Sequence, residues 1–297
     1  MTRVAVLGTG KMGGAIARRL KKGGFDVSVW DRTKSKAEAL GVGPVATSPA
    51  DAARGADVVV SMVTGPQAVR DVYFGDDGVF QASSGKTIVD MSTTGPGIAQ
   101  ELERGAALHG ARLIEAPVIG STPAVNSGSL FILAGAALRE DLEVARPVLE
   151  QLGEVHYVGD LGSAAALKLI ANSYLGIVST GAAELIAAGT AHGIDAEEVL
   201  TVLARIWPGL RLREAGFVKH VHEPTMFAMR DLLKDLDLAL NFYRSAEPSA
   251  VPLTTMTREL VAGVTATAPD LDISAVVTAY APAATSAKPA KPTKAVA

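Results

Sequence analysis

The stretch "VAVLGTGKMGGAIARRL", Val4 to Leu20, decides the fold. It sets Gly8-x-Gly10-x-x-Gly13 directly between a strand pattern and a helix pattern. A second strand ends at Asp31, about 20 residues further on, as the dinucleotide-binding fingerprint requires. Gly8 permits the tight turn, Gly10 lets the backbone approach a pyrophosphate, and Gly13 allows close helix–strand packing. The free N–H groups and positive end of the following helix, which opens with Lys11 and Met12, then hold the phosphates. The competing reading is a set of glycines that serve turn geometry alone.

Outward from that turn, short apolar β-branched runs recur: "RVAVLG", "DVSVWD", "ADVVVSMV", "TIVDMS", "ARLIEAPV", "SLFILAG" and "EVHYVG". Helical patterns lie between most of the first five, the signature of a parallel sheet with helices on both faces. Near-continuous apolar strands agree with burial on both sides. After Gly162 strand signals vanish. Helix-length segments follow over 163–192, 195–206, roughly 211–219, 228–245 and 250–267, with a short one from Ile273. The expected fold is therefore α/β: an N-terminal doubly wound parallel sheet of the Rossmann type over 1–162, followed by an all-α domain over 163–281. Residues 282–297, Ala/Pro/Lys-rich and without apolar periodicity, are expected to be a disordered tail.

Composition narrows the function. The 297 residues are 48% hydrophobic, 20% charged and 5% aromatic, with a formal net charge of −3. Such a chain buries a substantial core, and it carries no basic block to attract nucleic acid or an anionic membrane. Without cysteine, thiolate nucleophiles, disulfides and cysteine-ligated metals are excluded. The five histidines are scattered, and His220 and His222 of "HVH" lack a third neighbouring ligand, so no metal site is expected. The chain enters a strand at once, and no run reaches the roughly 18 consecutive apolar residues of a membrane span. A cytoplasmic enzyme acting on a small molecule is the expectation.

The end of the second strand, "WDRTKSK", bears on the cofactor. A lone acid there binds a ribose diol and rejects a 2′-phosphate. Asp31 is instead followed by Arg32, Thr33, Ser35 and Lys36, which supply charge and hydrogen bonds for that phosphate. NADP(H) is favoured over NAD(H), with Asp31 as the dissenting residue.

Four motifs, in order, carry a resemblance: "GTGKMGGAIARRL", "VDMSTTGP", "EAPVIGSTPAVNSGSLFILAG" with "GSAAALKLIAN", and "KDLDLAL". Across residues 2–280 the chain resembles the β-hydroxyacid dehydrogenases, the family of 3-hydroxyisobutyrate dehydrogenase. Within that family it looks most like the glyoxylate/succinic semialdehyde reductase branch, whose cofactor-binding domain is of the 6-phosphogluconate dehydrogenase type. The resemblance implies that Lys168 exchanges a proton with the substrate's carbonyl or hydroxyl oxygen and that Asn172 orients the substrate. Positions 168 and 172 share one helix face, so both reach one small molecule. It implies further that Ser92 touches substrate, that Thr93 and the backbone of Met62, Val63 and Thr64 meet the nicotinamide end of the cofactor, and that Lys234 stands near the nicotinamide. For Lys234 and Asp235, a surface ion pair competes with that role. Relatives form dimers or tetramers, so a homodimer or homotetramer is expected.

One departure concerns the substrate. The family usually carries a serine in its "APVSGG" or "APVSGS" segment, where this chain has Ile119. The backbone N–H groups of Gly120 and Ser121 remain available to a carboxylate, but one hydroxyl is replaced by apolar bulk. An unmade hydrogen bond to a charged group costs roughly 1.5–3 kcal/mol. The leading expectation is an NADP(H)-dependent oxidoreductase interconverting a small aldehyde or ketone and its hydroxy acid. The alternatives are an imine reductase, favoured by Ile119 and disfavoured by Lys168, and a non-catalytic nucleotide-binding module.

Overall fold

Val4 and Val6 of the first strand face one hydrophobic core, Ala5 and Leu7 face another, and all four are fully buried. A strand buried on both faces requires helices on both faces, and the computed structural model, which describes residues 1–246 and 250–280, has them. The chain runs β1 (Arg3–Leu7), α1 (Lys11–Lys22), β2 (Asp26–Trp30), α2 (Lys34–Leu40), α3 (Pro49–Gly55), β3 (Val58–Ser61) and α4 (Gly65–Phe74). It continues through β4 (Thr87–Asp90), α5 (Pro96–Leu108), β5 (Arg112–Glu115), β6 (Val118–Ile119), α6 (Thr122–Ser127), β7 (Leu130–Ala136), α7 (Arg139–Glu150) and β8 (Gly153–Gly159). Helices α8 (Ser163–Ala191), α9 (Ala196–Ile206), α10 (Glu214–Lys219), α11 (Met229–Tyr243) and α12 (Pro252–Thr265) follow.

All seven sequence-read strands form, and with an eighth, β6, they make one sheet in the order β2-β1-β3-β4-β5-β7-β6 with β8 against β7. β1 to β5 pair in parallel. β7 is antiparallel to both β5 and β6, and β8 runs parallel to β7. The reversal has a local cause. The two-residue strand β6 was not legible in the sequence, and α6 after it is a six-residue helix that turns the chain back beside it. The two cores divide the sheet's alternation. Ile16, Leu20, Val58, Val60 and Ile114 belong to one, and Val59, Tyr73, Phe80, Ile88 and Leu102 to the other. Each such side chain contributes about 1.5–3 kcal/mol of apolar burial.

The chain divides into two compact units. The first comprises Met1–Ile177 and Arg230–Arg258, so the sheet unit also takes in the start of α8 and most of α11. There a Cβ on Gly176 of α8 would lie 3.3–3.6 Å from Thr257, Leu232 and Leu236, so helix packing leaves little room beyond a glycine. By length and composition α8 could span a membrane, with a mean hydropathy of 1.3, but half of that apolar window is buried in protein.

The second unit takes Val178–Met229 and, among the described residues, 259–280. It is tied around Asp272, which accepts from Arg213 Nε (2.8 Å) and from the backbone N–H groups of Met226, Phe227 and Ser274 (3.1 Å each). The helix expected near 211–219 is a 3₁₀ segment over Pro208–Arg213 leading into α10, and the short one from Ile273 is also 3₁₀. The tail expected over 282–297 lies outside the described residues.

Candidate active site

The strand order reverses about β1: one connection leaves to β2 and the rest of the parallel set lies on the other side. Ligands bind at the carboxyl ends of strands beside such a switch, and the glycine turn stands there. Gly8 has φ +90°, and a Cβ on it would overlap the Met62 carbonyl oxygen. A Cβ on Gly13 would overlap the Gly8 carbonyl oxygen. A Cβ on Gly10 would meet nothing within 4 Å. Two glycines therefore close the turn, and the third leaves open space beside the first turn of α1, whose start has no side-chain cap. That is the shape and polarity a pyrophosphate needs, so the residues present fit a dinucleotide.

Asp31 is part of the turn. Its Oδ2 accepts from Thr9 N (2.7 Å) and Thr9 Oγ1 (2.9 Å), and its Oδ1 from Thr33 N (2.8 Å). Burial opposes its charge, but the bonds from Thr9 and Thr33 outweigh that and leave the carboxyl below its usual range. Arg32, Thr33, Ser35 and Lys36 are exposed next to it.

At the end of β3, Val63 N donates to Ser92 Oγ (3.0 Å), which joins the Met62–Thr64 segment to the loop after β4. Ser92 is buried, and its backbone N–H bonds Asp90 Oδ1 (3.2 Å). Asp90 also accepts from Ser61 Oγ (2.6 Å), which lies 2.7 Å from the Tyr73 hydroxyl. Burial raises the Asp90 carboxyl above its ordinary value against these bonds.

A second row of polar groups begins on α8. Lys168 Nζ donates to Asn172 Oδ1 (2.9 Å), and Asn172 Nδ2 donates to Asp235 Oδ2 (2.5 Å). Lys234 Nζ bonds Asp235 Oδ1 (2.5 Å) and the Thr93 carbonyl oxygen (3.1 Å). Lys234 also passes over Gly65, whose Cβ position would lie 3.2 Å from Lys234 Cδ. Lys168, Asn172, Asp235, Lys234 and Thr93 are thereby one connected set, and Asn172 and Asp235 are buried. Asp235 settles which way the Asn172 amide faces, because turning it over would set its NH₂ group against the lysine ammonium. Burial lowers Lys168 to about 8; Asp235 opposes the shift and Lys234 adds to it.

Of the substrate contacts expected from the sequence, Ile119 ends β6, the terminal strand of the sheet path, and Gly120 and Ser121 follow it. Ile119 is 41% exposed, and Ser121 precedes α6 without making a capping bond. Among the described residues no hydrogen bond links them to the Lys168 row. Asp235, read from sequence as one member of a possible surface pair, is instead an interior link to Asn172, 63 positions away. Ser61, Tyr73 and Asp90 carry no sequence signal beyond their place in strand and helix patterns. Among the described residues there is no group of three or more metal-type ligands.

Known proteins match this chain along nearly its whole length. Residues 3–159 match the family model of the NAD binding domain of 6-phosphogluconate dehydrogenase, and residues 162–280 match that of NADP-dependent 3-hydroxyisobutyrate dehydrogenase. A 3-hydroxyisobutyrate dehydrogenase of Pseudomonas aeruginosa is 35% identical over 279 residues, covering 88% of this chain and 91% of its own. Glyoxylate/succinic semialdehyde reductase 2 of Arabidopsis thaliana is 33% identical over 264 residues, covering 86% of this chain and 73% of its own. The structure of Mycobacterium tuberculosis 3-hydroxyisobutyrate dehydrogenase with L-serine superposes with a TM-score of 0.83 at 26% identity, covering 95% of this chain and 100% of that one.

Proposed function

The chain belongs to the 3-hydroxyisobutyrate dehydrogenase family of NAD(P)-binding oxidoreductases, and on that premise we propose that it is an NADP(H)-dependent reductase of small aldehydes or ketones. Substrates of the glyoxylate or succinic semialdehyde type, interconverted with their hydroxy acids, suit it best, with Lys168 as the general acid/base. The observation that carries the reading is the row Lys168–Asn172–Asp235–Lys234–Thr93.

Gly8, Gly10, Gly13, Lys11 and Met12 would hold the dinucleotide phosphates, and Thr93, Lys234 and the Met62–Thr64 segment its nicotinamide end. When bound, the reduced nicotinamide supplies the hydride. Negative charge then develops on the carbonyl oxygen, and an ammonium beside it both stabilises that charge and delivers a proton. Lys168 is suited to this because a group near 8 is mostly protonated at neutral pH yet gives up its proton readily. Asn172 holds the Lys168 ammonium through Oδ1, and Asp235 holds Asn172.

Asp235→Asn is expected to lower kcat by about tenfold with the NADPH affinity held within threefold, because a charge-assisted bond fixing the amide is lost. Steady-state kinetics with NADPH titration checks this. Equal loss of cofactor binding would show that Asp235 acts through Lys234 at the cofactor rather than through Asn172.

NADP(H) preference is supported by Arg32 and Lys36 beside Asp31, and by the way Asp31 is already engaged by Thr9 and Thr33. Arg32→Ala should raise the KM for NADPH about tenfold, the low end for a bond to a charged group, and leave that for NADH unchanged. Equal effects on both cofactors would refute the preference. The function itself is tested by assaying glyoxylate, succinic semialdehyde and a cyclic imine with NADPH and with NADH. Turnover of the imine alone would replace the carbonyl reading by imine reduction, and cofactor binding without turnover would leave a nucleotide-binding module.

A further inference from the structure

A carboxyl group that this chemistry does not use stands behind the helix that carries Lys168. Glu115 ends β5 opposite Gly135 of β7 and is 5% exposed. Its Oε1 accepts from the backbone N–H groups of Gly162 (2.8 Å) and Ala164 (2.7 Å). Those donors open α8 and have no carbonyl partner within the helix. Its Oε2 is buried with no hydrogen-bond partner among the described residues. Glu115 also lines, with Asp90, Ser92, Thr94 and Ala165, a cavity of about 10 Å³. Space for the carboxyl comes from the partner strand, since a Cβ on Gly135 would lie 2.5 Å from Glu115 Oε1 and 2.9 Å from its Cγ. The group thus faces α8, β4 and β7 at once, with Asp90 of β4 as the charged neighbour.

We propose that Glu115 is a positioning residue for the reaction: by binding the first turn of α8 it sets the face of that helix that presents Lys168 and Asn172. Ala164, Lys168 and Asn172 stand at i, i+4 and i+8 on one helix face. A displacement at the bonded N–H of Ala164 is carried along one continuous helix to both side chains. A carboxyl is suited to the task because one oxygen can accept from two helix N–H groups and interacts favourably with the helix's positive end. Burial raises this carboxyl to about 7, against the pull of the Ala164, Gly162 and Ala165 backbone N–H groups and with Asp90 adding to the rise. The two bonds from Gly162 and Ala164 to Oε1, which either protonation state can accept, are the operative feature. The inference rests on Lys168 being the acid/base.

Four single variants of the full chain test it: Glu115→Ala, Glu115→Gln, Gly135→Ala and Lys168→Ala. Three readouts are taken: kcat and KM with succinic semialdehyde and NADPH, NADPH affinity by fluorescence, and the pH midpoint for acetylation of Lys168 by peptide mass spectrometry. Glu115→Ala should lower kcat at least tenfold, keep NADPH affinity within threefold, and raise the Lys168 midpoint by a unit or more as water reaches the ammonium. Gly135→Ala keeps the carboxyl but displaces it, and should do the same. Glu115→Gln keeps an acceptor at the same place and should retain at least a third of kcat.

An unmoved Lys168 midpoint in Glu115→Ala, or in Gly135→Ala if the former does not fold, overturns the positioning role whatever Lys168 does. Glu115→Gln as slow as Gly135→Ala overturns it as well. Unchanged turnover in Lys168→Ala overturns the functional reading whatever Glu115 does, and so does absence of turnover in the unaltered protein.

Discussion

Alanine at Lys168 is expected to lower turnover by about 10²–10⁴, the usual worth of a positioned acid/base, while the protein still binds NADPH. The side chain supplies the ammonium of the row to Asn172 and, among the described residues, makes no hydrogen bond to the glycine turn. Its loss therefore removes proton delivery and charge stabilisation without disturbing the cofactor's phosphate site. The pH profile gives a second readout with a definite sign. Lys168 is brought to about 8, chiefly by burial, so the acid form prevails below that pH. Carbonyl reduction should be level below pH 8 and fall about tenfold per unit above it, whereas alcohol oxidation, which needs the base form, should rise through the same range. Both limbs should vanish in the alanine variant. Turnover within twofold of the unaltered protein would remove Lys168 from the mechanism.

Gly13→Ala is expected to weaken NADPH binding about a hundredfold and to lower stability by about 1–3 kcal/mol, as overpacking does. The added methyl overlaps the Gly8 carbonyl oxygen. To accommodate it, α1 has to move away from the turn whose backbone it closes. Its N–H groups then no longer converge on the phosphates, and each charge-assisted bond lost costs about 1.5–3 kcal/mol. Cofactor titration and thermal unfolding measure the two effects separately. Gly10→Ala is the informative contrast, because its Cβ meets no protein atom within 4 Å. It should leave stability nearly unchanged and weaken only the cofactor. Intact NADPH binding by the Gly13 variant would count against the phosphate turn.

The phosphate turn and the alternation of the sheet were legible in the sequence because each is local. A strand, three glycines at fixed offsets and a helix lie within 20 residues, and an apolar run with β-branched residues reads as a strand wherever it packs. The antiparallel return at β7 was not legible, since it depends on β6, two residues long, and on a six-residue helix.

The candidate site divides in the same way. Lys168 and Asn172 were named by the family resemblance, and their spacing of four positions on one helix already fitted a shared face. Asp235 could not be joined to Asn172, because nothing local links positions 63 apart until α8 and α11 pack within one unit. Its adjacency to Lys234 even suggested a surface pair, the usual place for neighbouring opposite charges.

Pattern and spacing thus determined by themselves that this chain builds a doubly wound dinucleotide fold followed by helices, and the family resemblance carried by its motifs pointed to the lysine to examine. Only the tertiary structure decided that Asp235 is interior, that Ser92 is tied to the loop after β3, and that Glu115 holds the start of α8. The physical reason is that a buried polar group must find its partners wherever packing brings them. That demand is felt in three dimensions and leaves no period in the chain.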